Sequence, residues 1–243
     1  MRVQVEVSTR AREIPWRDVL RPGRGIVYDL LAEFAPELGE RLHAQGVGRF
    51  GLAPFGHSAP RFPDVAPRRG KYVAGGAGVV EFCSPLPEVV EALAAGLGRT
   101  RVLDWGGVAL QKQSVHAIAP PAFADGQGVL RAVTPVLVKG PRRRDAQGMP
   151  LRGQRWILPG EPEWEVYFLR NLRRKAEALD LDSDVELDGI LRAGPRQSYA
   201  VGQGAKIGAE VDVALSGNPE TLRALWSWGL GAATSAGFGA VAA

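Results

Sequence analysis

The chain has 243 residues, 45% of them apolar, a single cysteine and a formal net charge of +4. That supplies one large core or two cores of ordinary domain size, and one cysteine excludes an intramolecular disulfide framework. The sequence pI of about 9.5 comes mostly from arginine, whose planar fork suits phosphate, so a nucleic-acid partner is admitted without being demonstrated; GC-rich coding yields the same bias.

The opening stretch Arg2 to Ser8 alternates apolar and polar residues like a strand, and no apolar run is long enough to span a membrane, so a cytoplasmic protein is expected. Gly25 to Ala44 carries Ile26, Val27, Leu30, Leu31, Phe34, Leu38 and Leu42 at helical spacing. Extended segments are expected at Arg49 to Phe55 and at Tyr72 to Cys83, with a turn at Gly75 to Gly78 and Cys83 in the core. Ser84 and Pro85 read as cap and first position of a helix with Val89, Val90, Leu93 and Leu97 on one face. Arg101 to Ile118 returns as a strand or hairpin interrupted at Gly106 and Gly107.

A Pro/Gly-rich stretch at 120–128 reads as a linker between an N-terminal domain, 1–119, and a C-terminal domain, 129–243. Val129 to Val138 reads as a strand and Glu161 to Leu179 as a helix, acidic early and basic late as the helix dipole favours. Val185 to Leu191 and Tyr199 to Leu215 read as strands, and Pro219 to Trp228 as a helix before a closing strand. Each half is β-α-β-β-α-β. The predicted fold is therefore α+β, a tandem ferredoxin-like (RRM-like) pair.

Gly229, Leu230 and Gly231, then Ala232 to Ala236, then Gly237, Phe238 and Gly239 form two Gly-apolar-Gly units around five small residues. Such a turn tolerates positive φ and can offer amides to phosphate oxygens. It is not a P-loop, because it follows a helix where a P-loop precedes one, and it lacks the Lys that would meet phosphate. Lys206, between Gly202, Gly204 and Gly208, has its third glycine one place late for a dinucleotide fingerprint and reads as a strand turn.

The glycine-rich end resembles the C-terminal signature of the CRISPR repeat-processing endoribonucleases. Arg41 to Phe55 (RLHAQGVGRFGLAPF) is similar to that family's helix-end histidine segment, Val80 to Leu97 to its strand and Ser-Pro helix, and Val133 to Gly140 (VTPVLVKG) to the opening of its second domain. The resemblance implies a tandem ferredoxin-like fold and a metal-independent endoribonuclease, with CRISPR repeat RNA as partner and no cofactor. It also implies His43 as a catalytic residue, with Tyr28 and Arg49 at positions where relatives often carry a tyrosine and a basic residue, commonly lysine at the latter. Association as a homodimer or within an effector complex is compatible with it.

Each role has a plainer reading beside it. A histidine near a helix C-terminus is a good partner for the dipole, and Arg49 reads equally as a solvated loop arginine. In the catalytic reading the ribose 2′-hydroxyl attacks the scissile phosphate, giving a 2′,3′-cyclic phosphate (or 2′- or 3′-phosphate) and a 5′-hydroxyl. His43 would act as base or acid, Tyr28 as a donor or positioner, and Arg49 as the cation for the developing charge. A straight helix would hold Tyr28 and His43 about 22 Å apart. Pro36 disfavours helical geometry at Ala35, and two helices folded back there would bring both side chains to one end.

Expected RNA contacts are Arg21 and Arg24 in an RPGRG turn, Arg142, Arg143, Arg144, Arg152 and Arg155 in a basic hairpin, and Gly229, Gly231, Thr234, Ser235, Gly237 and Gly239 in the glycine loop. That loop lacks the basic residue many relatives place between its glycine units, which leaves it open between RNA binding and a structural turn. His57, in a loop, is the substitute should the break at Pro36 not form, and His116, in an apolar strand, reads as structural. No Cys/His spacing suits a metal. Alternatives from other classes are a non-cleaving RNA-binding subunit and a ferredoxin-like small-molecule protein with a closed apolar pocket.

Overall fold

The computed structural model describes residues 1–141, 147, 149, 153–201 and 204–242. Alternation in Arg2–Thr9 produces β1, which buries Val3, Val5 and Val7 on one face. After the short β2 (Glu13–Ile14) come two helices, α1 (Arg21–Phe34) and α2 (Pro36–Ala44). The helix opens four residues earlier than the hydrophobic spacing suggests, so the RPGRG segment is its first turn and not a loop. Pro22 is tolerated there because the first amides need no intrahelical partner. Gly23 is required because a Cβ would come within 2.4 Å of the His57 ring.

The expected break forms at Ala35, whose φ of −154° and ψ of 62° interrupt the helix. By contrast, Arg49 to Phe55 is not extended. Gly46, Gly48 and Gly51 all take positive φ and fold 47–52 into a tight loop closed by Val47 and Leu52. The chain becomes regular only at β3 (Gly56–His57), followed by β4 (Tyr72–Val73) and β5 (Gly76–Cys83). The turn before β5 lies at Gly75 and Gly76, slightly earlier than expected, and Cys83 is buried.

Next comes α3 (Pro87–Arg99), opened by Pro87 and not by Pro85. Ser84 does not cap it: its hydroxyl donates to Pro54 O at 2.5 Å and accepts from Leu86 N at 3.0 Å, pinning the strand end to the loop before β3. The hairpin β6 (Val102–Trp105) and β7 (Val108–Ile118) turns at Gly106 and Gly107 as predicted.

These strands form one antiparallel sheet in the order β3-β5-β1-β7-β6. Taken in chain order as first (β1), second (β3), third (β5) and fourth (β7), the strands lie second-third-first-fourth, with β6 added at the edge. That is the ferredoxin-like order. Val27, Leu30 and Leu31 of α1 and Val89, Val90, Leu93 and Leu97 of α3 pack on β1 in one core.

The second half contains β8 (Gln127–Arg131), β9 (Val138–Lys139), β10 (Trp156–Ile157), α4 (Trp164–Glu177), β11 (Val185–Ala193), β12 (Gln197–Val201), β13 (Gly204–Gly208), β14 (Val211–Gly217) and α5 (Pro219–Trp228). The strand expected through Val138 stops at Arg131, where Thr134 and Pro135 turn to meet the C-terminal segment through Ala240 N and Gly239 N. The long extended run from Tyr199 is three strands, β12 and β13 pairing as a hairpin beside the sheet. The sheet order is β11-β14-β8, and the closing strand shrinks to the bridge Ala132–Val241 on the far side of β8. Its strand order repeats that of the first half, so the fold is tandem ferredoxin-like. A second core gathers Phe168, Leu172, Val211, Val213, Leu222 and Leu225. Among the described residues no helix is long and apolar enough to cross a membrane.

His57 joins the two halves and carries a pH signature. It is fully buried in β3, with its ring against Gly23 of α1 and Gly237 of the glycine loop. Nδ1 donates to Ser58 O at 3.2 Å, which leaves Nε2 as an unpartnered acceptor. Burial lowers its pKa to about 4 from 6.5, only partly opposed by the Ser58 bond. The neutral ring therefore contributes stability that is present above pH 6.5 and lost as pH falls toward 4, by about 3 kcal/mol from this group. Urea unfolding across that range is expected to show the loss in the parent protein and a smaller one in His57→Phe; equal slopes in the two would refute the assignment. Being buried, His57 is no substitute for His43.

Candidate active site and nucleic-acid interface

The kink at Ala35–Pro36 turns α2 back along α1, so the two rings that a straight helix would separate lie edge to face, 5.0 Å between centroids. Tyr28 also meets Phe55 edge to face at 5.3 Å, and the Arg24 guanidinium lies 5.4 Å over its ring. Tyr28 is half-buried, and His43, in the last turn of α2, is exposed. Neither the Tyr28 hydroxyl nor a His43 ring nitrogen has a hydrogen-bond partner among the described residues.

Arg49 is not part of that ring pair. From the 47–52 loop its guanidinium reaches Glu177 of α4 at 2.7 Å and covers Phe50, with its Cζ 4.7 Å from the ring centre. Arg174 covers the same ring at 5.0 Å, and Arg170 and Arg173 line the adjoining surface. Arg21 and Arg24 are exposed on the first turn of α1. Arg155, just before β10, lies between two carboxylates, Glu163 at 2.5 Å and Glu161 at 3.5 Å, which offset its charge. Arg142, Arg143, Arg144 and Arg152 lie outside the described residues. His116 is not in the core: it sits on the open side of β7, 2.8 Å from Ser114 Oγ and 3.8 Å from Glu6.

The glycine loop packs against α1 and β3 through the single-turn 3₁₀ helix Thr234–Ala236. Gly229, Gly231, Gly237 and Gly239 all have positive φ, and at each a Cβ would come within 3 Å of protein atoms. The tightest is Gly239, where it would lie 1.8 Å from Leu230 O. Gly239→Ala is expected to cost more than about 2 kcal/mol in denaturant unfolding. Gly98→Ala, with a helical backbone and open space around it, should be neutral or gain up to about 1 kcal/mol. A parent-like Gly239→Ala protein would show that the loop is not held as described. Thr234 and Ser235 are buried. Lys175, buried on α4, donates to Gly229 O at 2.7 Å, lies 5.3 Å above Trp228, and is lowered by burial to about 7.

A cleft runs along Gly231–Ser235, lined also by Phe50, Lys139, Asn171 and Arg174. Reading the sequence alone missed Phe50, Lys139, Arg174 and Lys175 as part of this surface. The clue for Arg174 and Lys175 was their place in the basic last turn of α4, which the helix dipole seemed to explain fully. Among the described residues no group of three or more His, Cys, Asp or Glu side chains could hold a metal ion.

The family model for the C-terminal part of the CRISPR-associated protein Cas6 matches residues 118–243, just over half of the chain. No curated protein sequence matches. Among solved structures, a RAMP protein described as binding different RNA substrates superposes with a TM-score of 0.81 at 15% identity, covering 99% of this chain and 98% of that one. A CRISPR-associated Cas6 protein gives 0.79 at 20% identity, covering 100% and 98%. A Cas6-related protein from Pyrococcus furiosus gives 0.79 at 12%, covering 100% and 97%. At these identities the superpositions speak to the fold, and the family model speaks to descent: the chain belongs to the Cas6 family of CRISPR-associated proteins.

Proposed function

We propose that this protein is a metal-independent endoribonuclease that binds the repeat of precursor CRISPR RNA and cuts it to release guide units. The observation that carries the reading is the approach of Tyr28 and His43 across the Pro36 kink, with their polar atoms left for a substrate. Family membership and a shared fold with a RAMP protein that binds RNA support the choice of substrate. In this reading residues 1–119 carry the ring pair and residues 129–243 carry the glycine loop.

Without a metal, the nucleophile is the ribose 2′-hydroxyl, which needs a base, while the departing 5′-oxygen needs an acid. His43 exchanges one of these protons and solvent water the other. The Tyr28 hydroxyl orients the sugar or phosphate. Arg49 supplies the cation for the phosphorane once RNA draws it from Glu177, an exposed pair whose attraction is weak enough to exchange. Arg21 and Arg24 contact flanking phosphates.

The test is incubation of the purified protein with labelled repeat RNA in EDTA, with end-group analysis of the products. One discrete cut leaving a 5′-hydroxyl and a 2′,3′-cyclic phosphate supports the reading. Tight binding without a cut would make the protein a non-cleaving RNA-binding subunit, and a cut only on adding divalent metal would refute the mechanism.

A further inference from the structure

The glycine loop has spent much of its donor capacity on the protein itself. Leu230 N donates to Gly239 O, Ala232 N to Leu137 O, Gly237 N to Thr234 O and Gly239 N to Pro135 O. A phosphate arriving here needs a cation, and the segment Gly229 to Gly239 contains none.

Cations reach the loop from elsewhere in the chain. Lys206 on β13 pairs across the hairpin with Tyr199, and both side chains meet Phe238 of the loop. The Tyr199 ring is 5.6 Å from that ring and the Lys206 ammonium 5.4 Å from its centre. Lys139, at the end of β9, lines the cleft along Gly231–Ser235. Arg24 stands over Tyr28, the partner ring of His43. Lys139 pairs with Trp156 across β9 and β10, and Trp156 Nε1 donates to Ala205 O, the residue before Lys206, at 3.1 Å; the Lys206 ammonium is lowered by burial first and then by the charges of Lys139 and Arg24. None of the three has a carboxylate within 4.0 Å among the described residues, in contrast to Arg49, Arg155 and Arg192, each of which is paired. Like charges gathered without a counterion repel, and an anion among them removes that repulsion.

We propose that Lys139 and Lys206, with Arg24, hold an RNA phosphate against the glycine loop beside the scissile one, as positioning cations in place of the basic residue that the loop lacks. This deepens the nuclease reading and rests on it. The contact is to the backbone, so it sets the register of the strand and reads no base.

The test uses a fluorescein-labelled decauridylate in the His43→Ala background, with anisotropy titrations between about 50 and about 200 mM salt. Lys139→Gln and Lys206→Gln should each reduce the slope of log K against log salt by about 0.7, the single-strand value for one phosphate contact, and weaken binding several-fold, with unchanged thermal melting. Lys139→Arg and Lys206→Arg should restore the slope, which a purely structural role would not do. If the protein cuts repeat RNA yet both glutamine variants keep the parent slope, this site is refuted and the nuclease reading stands. If the parent neither binds nor cuts RNA, both fail.

Discussion

His43→Ala is expected to lower repeat cleavage by about 10²- to 10⁴-fold while RNA binding stays within a few-fold of the parent. The residue is exposed at the end of α2, edge to face with the Tyr28 ring, so its loss should leave folding intact and remove only proton transfer. Tyr28 separates the chemistry from the packing. Tyr28→Phe keeps the edge-to-face contacts with His43 and Phe55 and removes only the hydroxyl, whereas Tyr28→Ala removes both. Equal losses in the two variants would assign the effect to the hydroxyl, and a loss confined to Tyr28→Ala would make the tyrosine a packing support for the histidine. Single-turnover cleavage in EDTA measures all three. Parent-like cutting by His43→Ala, with the same 5′-hydroxyl product, would remove His43 from the mechanism.

The fold-back that brings Tyr28 to His43 is legible in the sequence because it depends on local rules, whereas the choice of those two residues comes from the family resemblance. Pro36 denies helical geometry to Ala35, and the geometry of two short helices follows. The repeated β-α-β-β-α-β order was legible for the same reason, since hydrophobic periodicity marks most of its elements. What was not legible was set by glycine or by partners that only the folded chain brings together. Arg49 to Phe55 contains enough apolar residues to look extended, yet Gly46, Gly48 and Gly51 take positive φ and close a loop instead. The pairing of Arg49 with Glu177 spans 128 positions and leaves no local trace. Arg155 looked like a free phosphate contact because the folding of Glu161 and Glu163 around it is decided by β10 and α4 together. Lys206 was visible between glycines but read as a turn, since nothing local places it on Phe238.

The largest stability effect is expected at Glu81. Arg2 is 1% exposed, and burial lowers its pKa, with Glu81 opposing the shift. Its guanidinium meets Glu81 at 3.1 Å, Trp226 O at 2.6 Å and Val241 O, and lies 3.7 Å above the Trp226 ring. Glu81 also takes Arg61 at 2.5 Å. Glu81→Ala leaves the buried Arg2 without its counterion, a change worth about 3–5 kcal/mol in urea unfolding. Arg2→Met combined with Glu81→Ala should recover part of that, because removing both charges avoids the unpaired one. A loss below about 1 kcal/mol in Glu81→Ala would mean the network is solvated and not buried as described. The consequence extends to activity. Arg2 lies on β1 of the first sheet, while Trp226 and Val241 flank the glycine loop on either side, so the clamp fixes that loop against the half that carries Tyr28 and His43. Weakening the clamp should therefore reduce cleavage at temperatures where the protein is still folded, with both ring residues intact.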